Sequence, residues 1–177
     1  MRAIAPKGNC EATYTISGML DQKCLEDFLR FIQNDVSDEC ERLNILICSN
    51  GGHISIALAI GQLLRSLPCE VFTYNIANVD SAAIAIFASG KRRICTPQGT
   101  FMFHPAAKEI SGAKSAAELR SLADEVDSDA ERLTAFLELC TEIPKETWRK
   151  QMDLSVNLTA KGAVTAKLAI EIDEPRL

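Results

Sequence analysis

The chain has 177 residues, 47% apolar and 24% charged, which supplies one compact core and leaves little for a second. With 19 Lys and Arg against 24 Asp and Glu the formal net charge is -5, so there is no excess of positive charge to neutralise a phosphate backbone or an anionic membrane, and neither nucleic acid nor membrane is expected as a partner. Seven cysteines without CxxC spacing, most of them inside apolar runs, read as small hydrophobes in a reducing cytoplasm rather than as disulfides or metal ligands.

The stretch from Met1 to Asn9 lacks the apolar core of an export signal, so a cytoplasmic location is expected. Glu11 to Ser17 alternates in the manner of a strand that Gly18 would close, after which Leu25, Phe28, Leu29 and Ile32 recur at helical spacing. Leu43 to Cys48 is a short apolar strand stopped by Ser49-Asn50-Gly51-Gly52, and Ile54 to Leu67 predicts a helix ended by Pro68. Glu70 to Ile76 predicts a third strand, and Ser81 to Ala88, almost wholly apolar, a buried helix. The run from Val79 to Ala88 falls far short of the roughly 20 residues that span a bilayer and belongs to the core. Arg93 to Cys95 and Thr100 to Phe103 are short strands about a Pro97-Gln98-Gly99 turn. From Ala113 to Cys140 one long amphipathic helix is predicted, whose apolar stripe packs on its own domain or meets a second subunit. A short helix from Pro144 through Trp148, a last helix over Leu158 to Leu168 and a closing strand at Ile170 to Ile172 complete the chain, with no repeat or linker that would divide residues 1–177. Strand and helix alternate with apolar strands, so the class is α/β with a mainly parallel sheet.

There are two histidines, which keeps any imidazole mechanism short of candidates. His104 ends an apolar strand, where catalytic groups gather in parallel sheets. Ser81 opens a buried helix, where unpaired amides favour developing negative charge, although a plain helix cap is the simpler reading of Asp80-Ser81. Two consecutive glycines, Gly51 and Gly52, let a backbone amide approach a reacting carbonyl closely, as an oxyanion hole requires, and are equally compatible with an ordinary turn. His53 is the other imidazole, but at a helix N-terminus the dipole opposes the cation a base must become.

Taken together, Ser49-Asn-Gly-Gly52, Asp80-Ser81-Ala-Ala-Ile-Ala, Gly90-Lys-Arg-Arg93 and Phe101-Met-Phe-His104-Pro105 resemble the Clp protease proteolytic subunits, the serine peptidases of the ClpP/crotonase fold. The segment from Leu158 to Ile172 is similar to that family's closing helix and strand, so the resemblance covers roughly residues 12–173. It implies repeated β-α units with a protruding handle at about residues 111–142, an N-terminal extension at residues 1–10, Ser81 as nucleophile, His104 as general base, and the amides of Gly52 and Ala82 as oxyanion hole. It further implies stacked rings of identical subunits around a chamber that receives peptides or unfolded polypeptides, with no cofactor and no metal. The family's orienting Asp falls at position 155, which here is Ser155, so Asp153 is the expected third member and Asn157 the alternative. Asp80, where relatives carry a small residue, is expected to act as a cap turned away from the site. The first strand begins within about a dozen residues, leaving out the longer segment that relatives place around the axial pore, so docking of an ATP-driven AAA+ unfoldase does not follow. Two other readings compete: a catalytically weak or inactive scaffold subunit, favoured by the missing acid, and a crotonase-like acyl-CoA enzyme, which has no need of the Ser81 and His104 pair. A thiol nucleophile is disfavoured because Cys48 and Cys95 lie within strands.

Overall fold

The structure, a computed structural model, describes residues 10–37 and 39–175; nearly all of the expected N-terminal extension therefore lies outside the described residues. In chain order the elements are β1 (Glu11–Leu20), α1 (Gln22–Asp35), β2 (Arg42–Gly52), α2 (Ile54–Ser66), β3 (Glu70–Asp80), α3 (Ala83–Ala88), β4 (Arg92–Cys95), β5 (Thr100–Met102), α4 (Ala116–Thr141), α5 (Lys145–Asp153), β6 (Asn157–Thr159), α6 (Ala160–Thr165) and β7 (Glu171–Ile172). The seven strands form one sheet in the order β1-β2-β3-β4-β7, and the upper part of β3 pairs with β5, which in turn pairs with β6. Every pairing is parallel except β5 with β6. This is the α/β class with a mainly parallel sheet.

Alternation along the strands builds the core. In β1 to β3, Ile16, Leu43, Ile45, Ile47, Val71 and Val79 point to one face and are buried there under α1, α2 and α3. The helix α1 is held at its start by the Asp21 carboxylate, which accepts from the Cys24 N–H at 2.8 Å, and it presents Phe28 and Phe31 to the ring of Tyr14. All six residues of α3 are buried, so this helix is a plug between the sheet and α4. Gly61 permits that layering: a Cβ there would stand 2.9 Å from the Phe136 ring of α4.

The long helix divides into two halves. A capping box of Ser115 and Glu118 starts it, and residues from Ala130 onward (Leu133, Phe136, Leu137) are buried against the domain. The N-terminal half projects, with Leu119 exposed and Leu122 and Val126 half-buried. Beyond it, Trp148 of α5 is fully buried, stacks on Phe103 with ring centroids 5.7 Å apart, and donates its indole N–H to Thr141 Oγ1 at 3.2 Å.

Three local expectations are corrected. Gly18 does not close the first strand but lies inside β1 at an irregularity of the ladder. The expected helix over Leu158 to Leu168 begins instead with β6, because the backbone there pairs with β5, and Thr159 then caps the shorter α6 through the Gly162 N–H. Asp80 is no cap: it is the last residue of β3, its carboxylate accepts from Asn78 Nδ2 at 2.7 Å, and the N-cap of α3 is Ala82 without a side-chain bond.

Candidate active site

Ser81 stands on the turn from β3 to α3, with φ +54, in the left-handed region that costs a non-glycine residue roughly 1–2 kcal/mol. Its backbone is fixed from both sides. The Ser81 N–H donates to the Met102 carbonyl at 2.7 Å, and its carbonyl accepts from the Ile84 N–H at 3.1 Å. A strained serine at a strand-to-helix turn throws its side chain outward at the end of the sheet, which is the arrangement a nucleophile needs.

His104 reaches the same place from the neighbouring parallel strand. The β3–β5 register sets Asp80 beside Met102, so Ser81 and His104 follow the C-terminal ends of adjacent strands, where parallel sheets place their ligands. Phe103, clamped by Trp148 and by its own N–H to the Val156 carbonyl at 2.8 Å, anchors the histidine. Ser81 and His104 line one small cavity with Ile54, Ile84, Phe103 and Met152, of about 10 Å³, roughly the room of a single water. Among the described residues no hydrogen bond joins the Ser81 hydroxyl to the imidazole. His104 Nδ1 instead meets the Pro105 carbonyl at 2.7 Å. A carbonyl only accepts, so this bond needs the proton on Nδ1, and in the neutral ring the lone pair then lies on Nε2.

The glycine turn packs directly against the serine. A Cβ on Gly51 (φ +91) would lie 2.7 Å from Ser81 Cβ and 2.8 Å from the Asp80 carbonyl, so only glycine allows this approach. The Gly52 N–H is directed by the ladder: Leu20 pairs with Gly52 and accepts from the His53 N–H at 2.9 Å, and in a parallel pair the residue between the two bonded neighbours turns its own amide to the opposite side. For Gly52 that side is the side of β3, the strand that Ser81 follows. Ala82 lies at the start of α3, where amides have no carbonyl four residues back within the helix.

The other candidates lie elsewhere. Asp153 is not brought to His104: it ends α5 exposed, accepts from Arg149 Nε at 3.2 Å, and lines a separate groove between α4 and α5 with Glu131, Lys145 and Arg149. Its helical spacing from Arg149 explains the diversion. Asn157 lies in β6 opposite Met102, and Ser155, itself at φ +51, precedes that strand in a turn where its N–H donates to the Met152 carbonyl at 3.0 Å. His53 is exposed at the start of α2 and does not line the cavity. Burial pushes the Cys95 thiol up to about 11, and burial together with Cys40 does the same for Cys69, which leaves both inert as nucleophiles at neutral pH. Sequence reasoning missed the Pro105 carbonyl, which no residue type announces, and the link from Asn78 Nδ2 to Asn50 Oδ1 at 2.7 Å, which needs the strand register to be seen.

Comparison with known proteins bears on the family and the fold. Residues 12–176 match the family Clp protease. A protein of Chlamydia muridarum named ATP-dependent Clp protease proteolytic subunit 2 is 31% identical over 111 residues, 62% of this chain and 54% of the relative. A subunit 1 of Chlamydia felis is 27% identical over 130 residues, 72% and 63% of the two chains, and the proteolytic subunit of Paracoccus denitrificans is 27% identical over 150 residues, 82% and 74%. The aligned chain thus spans little more than half of the first relative and under two thirds of the second. Among solved structures, an Asn-to-Asp variant of ClpP1 from Listeria monocytogenes superposes with a TM-score of 0.77 at 24% identity, covering 93% of this chain and 92% of that one, and shares the fold.

Proposed function

The chain belongs to the Clp protease family, and from that footing we propose that it is a serine peptidase in which Ser81 attacks the peptide carbonyl and His104 is the general base. The observation that carries the reading is the meeting of these two residues at one cavity, from the ends of adjacent parallel strands. His104 Nε2 takes the Ser81 proton as Oγ bonds to the carbonyl carbon; the oxyanion so formed accepts from the Gly52 and Ala82 amides. The imidazolium then gives its proton to the leaving amine, and water, deprotonated by the same nitrogen, releases the acyl group from Ser81. The Pro105 carbonyl holds Nδ1–H throughout, in the place a carboxylate takes in a full triad.

Peptides or unfolded segments are the substrates this reading implies, because Ser81 and His104 stand at the end of the sheet, where an extended chain can be presented to the nucleophile. The projecting half of α4, with Leu119 exposed and Leu122 and Val126 only half-buried by this chain, supports self-assembly into stacked rings. No described helix is long and apolar enough to cross a membrane.

Intact-mass analysis after fluorophosphonate treatment tests the reading. One adduct per wild-type chain is expected, none on Ser81→Ala, and a much slower one on His104→Ala. A folded, assembled wild type without adduct overturns it in favour of the scaffold reading, which the unbonded Ser81 hydroxyl and the diversion of Asp153 to Arg149 support.

A further inference from the structure

We propose that Ser49 is the positioning residue of the oxyanion turn, the group that aims the Gly52 amide at Ser81; this rests on the peptidase reading above. Ser49 is 1% exposed, and its hydroxyl is fully employed. It donates to the Gly18 carbonyl at 2.6 Å and accepts from the Gly51 N–H at 3.1 Å, so one oxygen ties β1 to the glycine turn.

The tie sits where both ladders of β2 break. On the β1 side the pairing runs from Ser17 with Cys48 to Met19 with Gly51, so β2 advances three residues while β1 advances two. On the β3 side it runs from Ile47 with Asn75 to Ser49 with Val79, so β3 advances four residues while β2 advances two and the alternation is kept there; the single extra residue is on the β1 side. An extra residue in one strand inverts the alternation beyond it. The inversion is visible in the bonds. At the start of β2 the even-numbered Arg42 turns its N–H to the β1 side, where it shares the Cys10 carbonyl at 3.4 Å with the preceding Glu41 N–H, and the Glu41 carbonyl accepts from Glu70 of β3 at 2.9 Å; downstream, the odd-numbered His53 turns its N–H to β1 and donates to Leu20 at 2.9 Å. Without the inversion Gly52, an even-numbered residue, would spend its amide on β1. With it, that amide turns to the side of β3, the strand that Ser81 follows.

Ser49 makes the inversion stable. A bulge leaves ladder groups without partners, and a buried amide or carbonyl left so is costly. The Ser49 hydroxyl takes both: the Gly18 carbonyl on the β1 side and the Gly51 N–H at the turn. Alanine at position 49 frees both groups, and the turn relaxes toward the ordinary register.

The test compares Ser49→Ala and Ser49→Cys with wild type in three readouts: kcat and KM on a short fluorogenic peptide, the rate of fluorophosphonate adduct formation, and hydrogen exchange at the Gly51 amide. Loss of one oxyanion donor costs about 100- to 1000-fold in kcat, so a donor that is displaced rather than removed is expected to cost about 10- to 100-fold, with KM within threefold and the adduct rate falling in parallel. Ser49→Cys, which keeps the volume and a weak donor, is expected to fall between the two and serves if the alanine variant does not fold. Gly51 exchange rises in both variants. Wild-type rates within threefold in a variant whose Gly51 exchange has risen would overturn the proposal, because the bond would then be structural only, and so would a fall in kcat/KM carried by KM alone. Absence of adduct on the wild type itself would instead sink the peptidase reading, and this proposal with it.

Discussion

Replacing Ser155 by Asp places a carboxylate near the proposed base. Met102 pairs with Asn157, and the Phe103 N–H donates to Val156 at 2.8 Å; position 155 adjoins Val156 as His104 adjoins Phe103, so both stand next to this last cross-strand bond. The backbone there is left-handed, with φ +51, a conformation Asp and Asn accept more readily than most residues, so the change needs no rearrangement of the loop. In the wild type Nδ1–H is held by the neutral Pro105 carbonyl. A neutral hydrogen bond nets about 0.5–1.5 kcal/mol and a charged one about 1.5–3, so the exchange favours the imidazolium formed during attack by about 1–2 kcal/mol. At about 1.4 kcal/mol per tenfold this raises kcat/KM by roughly 5- to 30-fold. The assay is hydrolysis of a fluorogenic peptide across roughly pH 5 to 8, where the acid limb of the profile moves to higher pH because a neighbouring carboxylate favours the charged ring. Ser155→Asn keeps the shape without the charge and is expected to change kcat/KM by less than threefold. An unchanged kcat/KM and an unmoved acid limb in a folded Ser155→Asp would refute the argument, since the ring would then be held by Pro105 in a way no carboxylate at 155 improves.

Four further outcomes are expected. Gly51→Ala drives a Cβ to 2.7 Å from Ser81 Cβ at φ +91, abolishing fluorophosphonate labelling and costing roughly 1–3 kcal/mol in urea unfolding; labelling at the wild-type rate would contradict the packing of the turn on the nucleophile. Ser81→Gly and Ser81→Ala both lose activity, but glycine relieves the left-handed strain, less its own entropy, by about 1 kcal/mol, which places its Tm about 2–4 °C above that of the alanine variant in calorimetry; the reverse order would deny the strain. Thr141→Val leaves the buried indole N–H of Trp148 unpaired and costs about 1–3 kcal/mol in unfolding followed by fluorescence of that sole tryptophan; a variant as stable as wild type would mean the bond contributes nothing. Cys69 and Cys95 are pushed from the ordinary 9.0 up to about 11, so the native state keeps their protons longer than the unfolded chain does. Their contribution is whole below pH 9 and is lost as pH rises toward 11; an unfolding midpoint level over that interval under reducing conditions would contradict it.

The elements that were legible in the sequence are those whose periodicity is set by one buried face. The helix α1 follows from Phe28 and its neighbours at helical spacing, and the strands from apolar runs that a parallel sheet buries. What was not legible depends on distant pairing. The strand β3 runs to Asp80 rather than Ile76 because its upper part finds β5 after it has left β4, and no local pattern in Ala77-Asn78 announces that partner. The strand β6 was hidden for the same reason, since Asn157 to Thr159 becomes a strand only when β5 is beside it. The long helix was legible in extent but not in division: its stripe is continuous in sequence, yet only from Ala130 onward does this chain supply a surface to bury it.

The site divides along the same line. Ser81 and His104 could be chosen by residue type and by place at element ends, and the register of adjacent parallel strands brings them to one cavity. The partner of the imidazole could not be chosen that way. Asp153 is the nearest carboxylate in sequence, but two residues separate the turn before β6 from the end of a helix, where Arg149, one turn earlier, captures the side chain. Orientation in this site is therefore a matter of which strand a group stands on and in which phase of its alternation. That is why a backbone group, the Pro105 carbonyl, meets the imidazole where a search by side-chain chemistry looks for an acid, and why the role proposed for Ser49 is to hold the phase on which the Gly52 amide depends.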